Sequence, residues 1–291
     1  MKKIIFIFPA ILIILYIISC DKLDPPFIKP EPETCPIPNM DSLFPVDDLT
    51  QKFLILDFTG HKCPGCPQAH LVINDLKDAY PGQIVAIAIH AGDFTYTDGH
   101  FTYDFTTPWG DELSGSEGLN IQWNPAGTVN SLNSDDVSFH TTWEQIIDTS
   151  CQITNRMIIN MFTEYNCEED KHCIHIQTKF LQDMTGEFML CAYMIEDSIV
   201  EPQMVGSVEV QDYVHNHVLR DAINLNTWGQ SIGSGAIPGG TDTIVSYAYT
   251  FDSTNDSLYH DENHCSAVAF VYDNATREVI QAAEEHLQEP F

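Results

Sequence analysis

The stretch Leu54-Ile-Leu-Asp-Phe-Thr-Gly-His-Lys-Cys-Pro-Gly-Cys-Pro67 carries most of the information about the fold of this chain. Its apolar run predicts a buried strand, which leads directly to Cys63 and Cys66 in the spacing Cys-x-x-Cys. Asp57 lies on the strand, ahead of both cysteines. Two thiols at this spacing can close a disulfide bond or hold a metal ion, and a strand before the pair with a helix after it favours a redox pair.

The residues around this stretch predict a strand, a helix and a second strand. Residues 53–58 and 84–89 predict two buried strands. Between them, apolar residues recur at helical spacing until Pro81 and Gly82 end the helix. This order implies a parallel pair of strands in an α/β layer. Residues 92–118, rich in Gly, Thr and aromatic residues, predict a long insertion or lid.

The cysteine pair suggests thiol–disulfide exchange. Cys63 is predicted to attack a substrate disulfide, because helix amides and the neighbouring Lys62 would lower the pKa of its thiol. Cys66, one turn into the helix, would then release the mixed disulfide. Asp57, buried behind the pair, would take the proton of Cys66, since burial raises the pKa of a carboxyl group. An envelope oxidoreductase is therefore one hypothesis for the function.

This part of the sequence resembles thioredoxin-like proteins, which carry an acidic residue at the position of Asp57. In that fold a cis-proline faces the dithiol and its backbone holds the substrate peptide. Pro125, preceded by Asn124, matches this proline in order and context, and the resemblance implies that both residues bind substrate. Lys62 departs from the aromatic residue common before the first cysteine, and Pro67 removes an amide from the first helical turn. The alternative to redox chemistry is a permanent disulfide on an inherited scaffold.

From about residue 156 the hydrophobic period changes to two. Apolar and polar residues alternate over residues 174–180, and residues 267–272 and 279–283 flank a polar turn. About seven short strands with polar turns predict an antiparallel β-sandwich.

The N-terminal residues are typical of a lipoprotein leader. Lys2 and Lys3 precede an apolar run, and Ile-Ile-Ser-Cys20 closes it like a lipobox. Seven prolines between residues 21 and 45 predict an extended tether. The predicted organisation is a signal peptide (1–19), a lipidated Cys20 with a Pro-rich tether (20–48), an α/β thioredoxin-like domain (49–155) and an all-β immunoglobulin-like sandwich (156–291).

Nine cysteines include Cys20, and the other eight would lie in an oxidising compartment where disulfides persist. Cys63–Cys66 is one candidate disulfide. Cys167 and Cys173 flank a polar turn, so Cys167–Cys173 is the second candidate. The sequence assigns no pairing to the four remaining cysteines, Cys35, Cys151, Cys191 and Cys265.

The balance of charge limits the classes of partner. Twelve Lys and Arg residues against 42 Asp and Glu residues give a net charge of −30. Such a surface repels nucleic acid and anionic head groups, and it can attract cations or basic polypeptides. The expected partners are the membrane, through lipid at Cys20, and an unknown protein or surface ligand, with no nucleic acid.

Metal sites are weakly supported by the sequence. His215 and His217 would share a face if both lay on a strand. A third ligand would have to come from His90, His260 or His264. Zinc at Cys63 and Cys66 lacks a second pair of ligands, and a surface calcium site at residues 252–256 is the other alternative. We predict no resident metal and no cofactor.

Four segments together resemble the lipoproteins related to the twenty-eight-kilodalton outer membrane protein: Asp57–His70, Ile89–Gly92, Tyr213–Arg220 and Val268–Tyr272. The resemblance spans residues 50–287, and the run His-Asn-His-Val-Leu-Arg220 is its most specific element. It implies an outer membrane lipoprotein on the periplasmic face or the cell surface, and no established reaction. The first hypothesis for function is therefore a binding or adhesion protein of unassigned partner, and the alternative is the oxidoreductase that uses Cys63 and Cys66.

Overall fold

The computed structural model describes residues 31–150, 154–251 and 261–288. The predicted signal peptide, Cys20, Cys151, His260 and residues 252–256 lie outside this part of the chain. The fold is mixed α/β with far more strand than helix. Its helices are α1 Met40–Leu43, α2 Cys66–Ala79, α3 Pro108–Ser114 and α4 Trp143–Ser150. Within the described ranges, no helix is both long and apolar enough to cross a bilayer.

The described residues contain thirteen strands, which form three sheets. The strands of the first half are β1 Phe53–Thr59, β2 Ile84–His90 and β3 Ala126–Val129. The others are β4 Met157–Asn166, β5 Lys171–Phe180, β6 Met184–Glu196, β7 Ile199–Val205, β8 Val208–His215, β9 Val218–Ala222, β10 Gln230–Ile237, β11 Asp242–Tyr249, β12 Cys265–Asp273 and β13 Val279–His286.

The largest sheet has eight strands in the order β13-β12-β6-β9-β2-β1-β3, with β10 also paired to β6. Strands β1 and β2 are parallel, with Asp57 opposite Ala88, and β3 is antiparallel to β1. The predicted strand–helix–strand unit with a parallel pair is thus confirmed. All seven residues of β1 and all seven of β2 are buried, because helices or strands cover both faces of the sheet.

Alternate residues of β1 and β2 pack into two separate hydrophobic cores. Phe53 and Ile55 face α2 and α4, where they pack with Ile73, Leu76 and Trp143. The intervening residues face the opposite side and pack with Leu113 of α3 and with residues of β6 and β12, in a cluster that includes Leu54, Leu56, Phe58, Tyr193 and Phe270. The period of two in a strand therefore places helices on both sides of this part of the sheet.

The large sheet crosses the predicted domain boundary between residues 155 and 156. Strand β9 pairs with β2 through Ala88 and Val218, so the sheet continues from the first half of the chain into the second. The amide of Ala88 donates to the carbonyl oxygen of His217 at 2.7 Å. A buried strand edge without partners would leave backbone groups unsatisfied, and β9 supplies those partners to β2. The described residues form one compact unit.

In the second half of the chain, two sheets pack face to face. A three-stranded sheet in the order β11-β5-β4 lies over β6, β10, β12 and β13. Its inward side chains, among them Met157, Ile176 and Phe180, pack on Phe188 and Ala269 of the large sheet. One layer of this sandwich is therefore also the sheet that carries β1 and β2.

The predicted tether of residues 20–48 is attached to the fold where it is described. Cys35 forms a disulfide with Cys173 of β5, with 5.8 Å between the Cα atoms, and Met40 is buried. Lys179 of β5 pairs with Asp47 at 2.9 Å. Residues from 31 onward therefore pack on the three-stranded sheet, because one covalent bond and one buried side chain hold them there.

The predicted disulfide Cys167–Cys173 is wrong. Cys173 lies inside β5, buried and bonded to Cys35, whereas Cys167 is exposed in the turn after β4 and is free. Cys191 and Cys265 are buried free thiols, and burial raises the pKa of each. The sequence could not rank these pairings, since spacing along the chain does not give distance in space.

Candidate functional site

The Cys-x-x-Cys segment lies between the end of β1 and the start of α2. The amide of Cys63 donates to the carbonyl oxygen of Gly60 at 2.9 Å, which closes a turn before the helix. Cys63 and Cys66 form the predicted disulfide, with 5.5 Å between their Cα atoms. Cys63 is 1% exposed and Cys66 is fully buried, so neither sulfur is presented to solvent.

The hairpin of β7 and β8 covers this disulfide. The amide of Met204 donates to the carbonyl oxygen of His61 at 2.8 Å, and the amide of Gly206 donates to that of Pro64 at 2.9 Å. Gln203, which is fully buried, donates its side-chain amide to the carbonyl oxygen of Cys63 at 3.1 Å. The hairpin thus binds the cysteine loop along its backbone and excludes solvent from the sulfurs.

Asp57 is fully buried on β1, as the sequence predicts. Among the described residues neither of its carboxyl oxygens has a hydrogen-bond donor, and burial raises its pKa to about 8. The Nε2 atom of His70, on α2, lies 3.4 Å from Oδ2 of Asp57. Burial lowers the pKa of His70 to about 4. At neutral pH the Asp57 carboxyl therefore keeps its proton and the His70 ring is uncharged.

A cavity of about 50 Å³ adjoins Asp57 and His70. Tyr213 of β8 and His217 also line it. The Nδ1 atom of His70 lies 2.7 Å from the Tyr213 hydroxyl, so a polar chain runs from Asp57 through His70 to the hairpin. The sequence predicted a role for Asp57 and none for His70 or Tyr213.

Pro125 lies beside the cysteine loop, as predicted. The Asn124–Pro125 bond is cis, and a Cβ atom added to Gly65 would lie 3.5 Å from Cδ of Pro125. The side-chain amide of Asn124 donates to the carbonyl oxygens of Thr59 and Ala91, both at 3.2 Å. Asn124 thus ties the ends of β1 and β2 together, a structural role that the sequence did not predict.

Lys62 does not direct its charge at Cys63. Its Nζ atom lies 2.6 Å from Oδ2 of Asp98 and 3.2 Å from the centre of the Tyr96 ring. Hydrogen bonds from Lys62 and from nearby backbone amides lower the pKa of the Asp98 carboxyl. The predicted lowering of the Cys63 pKa by Lys62 is weakened by this pairing.

A group of buried histidines contains His61 in the loop after β1, His90 at the end of β2 and His215 at the end of β8. The rings of His90 and His215 pack against Phe105, with centres 4.4 and 4.6 Å from it, and His61 lies 5.8 Å away. Burial lowers the pKa of all three histidines, that of His215 to about 3. Neither ring nitrogen of His90 has a partner among the described residues. These side chains come from separate segments, so no spacing in the sequence groups them.

The weak candidates for metal ligands, His215 and His217, do not form a pair. Strand β8 ends at His215, and His217 has φ of 59°, so the two side chains do not share a strand face. The Nδ1 atom of His217 lies 3.0 Å from Asp197. His264 is exposed, with a ring nitrogen 3.9 Å from Asp261. In the described part of the chain, Glu164, Cys173 and His175 come close enough for a metal ion, but Cys173 is already in a disulfide.

Comparison with known proteins gives one family and several solved structures. The family described as outer membrane protein Omp28 matches residues 115–290. HBP35 of Porphyromonas gingivalis is similar in structure, with a TM-score of 0.63 and 18% identity over 84% of this chain and 80% of that chain. A domain of the outer membrane lipoprotein Omp28 from Porphyromonas gingivalis is 24% identical over 45% of this chain and 88% of that chain, with a TM-score of 0.30. No curated protein matches the sequence. At 18% identity, the likeness to HBP35 shows a shared fold and no function.

Proposed function

The chain belongs to the Omp28 family of outer membrane proteins, and from that premise we propose that it is an envelope binding protein whose Cys63–Cys66 disulfide is structural. The predicted localisation, an outer membrane lipoprotein, is confirmed by the family. The lipid itself remains a prediction, because Cys20 lies outside the described residues.

The scaffold proposed for this role is thioredoxin-like. Support comes from the parallel pair β1 and β2 joined by α2, from the antiparallel β3, and from a cis-proline beside the cysteine loop.

The observation that carries the proposal is the hairpin over the disulfide. A thiol that attacks a substrate must be ionised and accessible, and a disulfide that accepts electrons must be reached by the attacking thiolate. Backbone hydrogen bonds from Met204 and Gly206, and the side chain of Gln203, close that approach to Cys63. The Cys63–Cys66 disulfide therefore has a structural role, in which it links the loop after β1 to the start of α2.

The expected partner is a protein or surface ligand that complements an acidic surface. The net charge of −30 disfavours nucleic acid and anionic lipid head groups as ligands, since like charges repel at long range. Attachment to the membrane would come from lipid at Cys20.

Thiol–disulfide exchange is the second candidate, and Asp57 favours it. A buried carboxyl group that holds its proton at neutral pH can give that proton to a cysteine thiolate when the disulfide is reduced. Pro125 lies beside the loop in the position that a peptide-binding proline would need. This function requires the hairpin to leave the disulfide during each cycle.

An exchange assay with the full-length protein separates the two functions. A scrambled disulfide substrate and glutathione are supplied, and the formation of native substrate is followed over time. We expect no exchange above that of a Cys63→Ala/Cys66→Ala double variant. Turnover by the parent protein that disappears in the double variant would establish the oxidoreductase and overturn the proposal. A Cys63→Ser variant that forms mixed disulfides through Cys66 would reverse the predicted roles of the two thiols.

A further inference from the structure

An open cleft of about 250 Å³ lies next to the end of β2. It runs between the loop after β2 and the segment that precedes Pro125. Its walls include Asp93, Phe94, Ile121, Gln122 and Trp123. The β7–β8 hairpin contributes none of the described residues that line it. The cleft is therefore accessible while the disulfide is sealed.

The walls of this cleft expose aromatic rings. Trp123 is 43% exposed and Phe94 is 36% exposed. The ring of Phe139, also exposed, lies 5.7 Å from that of Trp123, so the aromatic surface continues beyond the rim. Adjacent exposed aromatic side chains mark a contact surface more often than isolated ones do.

The polypeptide that forms the cleft is acidic throughout. Residues 78–155 contain 11 Asp and Glu residues and no Lys or Arg. Asp93 is exposed at the wall itself. Lys62, whose amide bonds the carbonyl oxygen of Phe94, has its charge paired with Asp98. The field at the cleft is therefore negative, which favours cations and disfavours anions.

These features define the chemistry of a ligand. A cation gains energy over the face of an indole ring, and Arg also stacks its planar head group on such a face. A carboxylate next to the ring adds a charged partner to the same head group. A cleft of this volume can take one long side chain, with the exposed rings of Trp123 and Phe139 left for the residues on either side of it.

We propose that this cleft binds an Arg or Lys side chain of a basic polypeptide partner, with the charged head group over Trp123 and next to Asp93. The inference rests on the proposed binding function and names its site and its class of partner. Gln122 and Ser114 also line the cleft. The side-chain amide nitrogen of Gln122 donates to Asn120 and the Ser114 hydroxyl donates to the carbonyl oxygen of Asp111, so their side-chain oxygens are left to accept from main-chain amides of the partner.

The test uses the full-length protein and a fluorescein-labelled peptide of Gly and Ser with two arginines, read by fluorescence anisotropy at fixed ionic strength. Peptides with Gln or Glu in place of Arg are the ligand controls. We expect saturable binding of the Arg peptide alone. Trp123→Ala should weaken it about tenfold and Asp93→Asn by a factor of about three to ten, whereas Trp123→Phe should retain part of the affinity.

Asp78→Asn is the matched control for charge. Asp78 is exposed near the end of α2, at the opposite end of the sheet from the cleft, and its removal changes the net charge by the same amount. We expect less than a twofold effect. Equal losses of affinity in the Asp93 and Asp78 variants, or full affinity in Trp123→Ala, would show that the peptide binds through general charge attraction. Either result would overturn the proposal.

Two further outcomes are decisive. Tighter binding of a neutral oligosaccharide such as cellotriose, lost in Trp123→Ala, would assign the aromatic surface to sugar and overturn the peptide site. Absence of any peptide binding would also overturn the proposed peptide site in the cleft. It would not affect the proposal that the disulfide is sealed, which the exchange assay tests separately.

Discussion

The side-chain amide of Gln203 donates to the carbonyl oxygen of Cys63 at 3.1 Å, across 140 positions of the chain. The same amide group lies 3.3 Å from the carbonyl oxygen of Gly60, so one buried side chain joins the hairpin to both ends of the turn formed by residues 60–63. This bond makes the accessibility of the disulfide depend on the position of β7.

Replacing Gln203 should expose the disulfide. Gln203→Ala removes the donor and leaves the carbonyl oxygens of Cys63 and Gly60 without that partner, which costs about 1–3 kcal/mol in a buried site. We expect dithiothreitol to reduce Cys63–Cys66 several-fold faster than in the parent, as measured by alkylation and mass spectrometry. Gln211→Ala, on the exposed side of the same hairpin, is the control and should leave the rate unchanged. Equal rates in all three proteins would mean that the hairpin does not limit access.

Asp57 should make stability depend on pH. The pKa of Asp57 is about 8 in the folded protein, against the ordinary 3.8 of an Asp side chain, so between these pH values the folded state holds a proton that the unfolded state has lost. Stability is therefore lost as pH rises from about 4 to 8. Asp57→Asn should raise the free energy of unfolding at pH 8, at most on the order of 5 kcal/mol, and have little effect near pH 4.

Denaturant titrations of both proteins at each pH measure this difference. Asp75→Asn, at an exposed position on α2, is the control and should show no such dependence. A gain in stability that is the same at both pH values would contradict the shifted pKa of Asp57.

His90 should destabilise the fold in acid. Burial and the nearby histidines hold its pKa well below 6.5, so as pH falls below 6.5 the unfolded state takes up a proton that the folded state does not. His90→Phe keeps the ring stacked on Phe105 and removes two nitrogens that lack partners among the described residues. We expect it to raise the free energy of unfolding by about 1–3 kcal/mol at pH 7, and by more at pH 5. His100→Phe, with a side chain 75% exposed, should leave this pH dependence unchanged. A loss of stability on His90→Phe would indicate that the imidazole makes a needed bond.

The N-terminal segment should depend on Cys35. The Cys35–Cys173 disulfide closes a loop across 138 positions of the chain, and removal of a native disulfide typically costs 2–5 kcal/mol. We expect Cys35→Ser to lower the melting temperature clearly and Cys167→Ser to leave it within error. Peptide mapping without reduction should recover the peptide of Cys35 joined to that of Cys173. Recovery of a Cys167–Cys173 peptide would contradict the described pairing.

Local patterns in the sequence predicted the strand–helix–strand unit at the start of the fold. Strands β1 and β2 and helix α2 come from apolar runs and helical spacing within about 40 residues, and Pro125 lies beside the loop that carries Cys63 and Cys66. The hairpin over the disulfide was missed because its contact with the loop joins residues far apart, and β8 has the weak burial pattern of a strand exposed on one side. The pairing of β9 with β2 rests on a single residue pair that no hydrophobic period encodes.

The sequence predicted which residues make up the site, and it did not predict that the disulfide is inaccessible to solvent. A Cys-x-x-Cys motif with a buried acidic residue indicates the same chemistry whether or not solvent reaches the sulfurs. Their accessibility depends on tertiary contacts, which the motif does not encode. Gln203 illustrates this point, since a lone glutamine in a strand gives no sign in the sequence that it bonds the carbonyl oxygen of Cys63.

The most direct test of the sealed disulfide is its rate of reduction in the folded and the unfolded protein. Full-length protein is treated with dithiothreitol in buffer and in guanidinium chloride, and the reduction of Cys63–Cys66 is followed by quenched alkylation and peptide mapping. We predict that reduction is slower in the folded protein by about 100-fold or more, since the hairpin must open first and such local opening is a minor state. Rates that agree within a factor of two or three would show that the sulfurs are accessible in the fold, and would contradict a structural role for this disulfide.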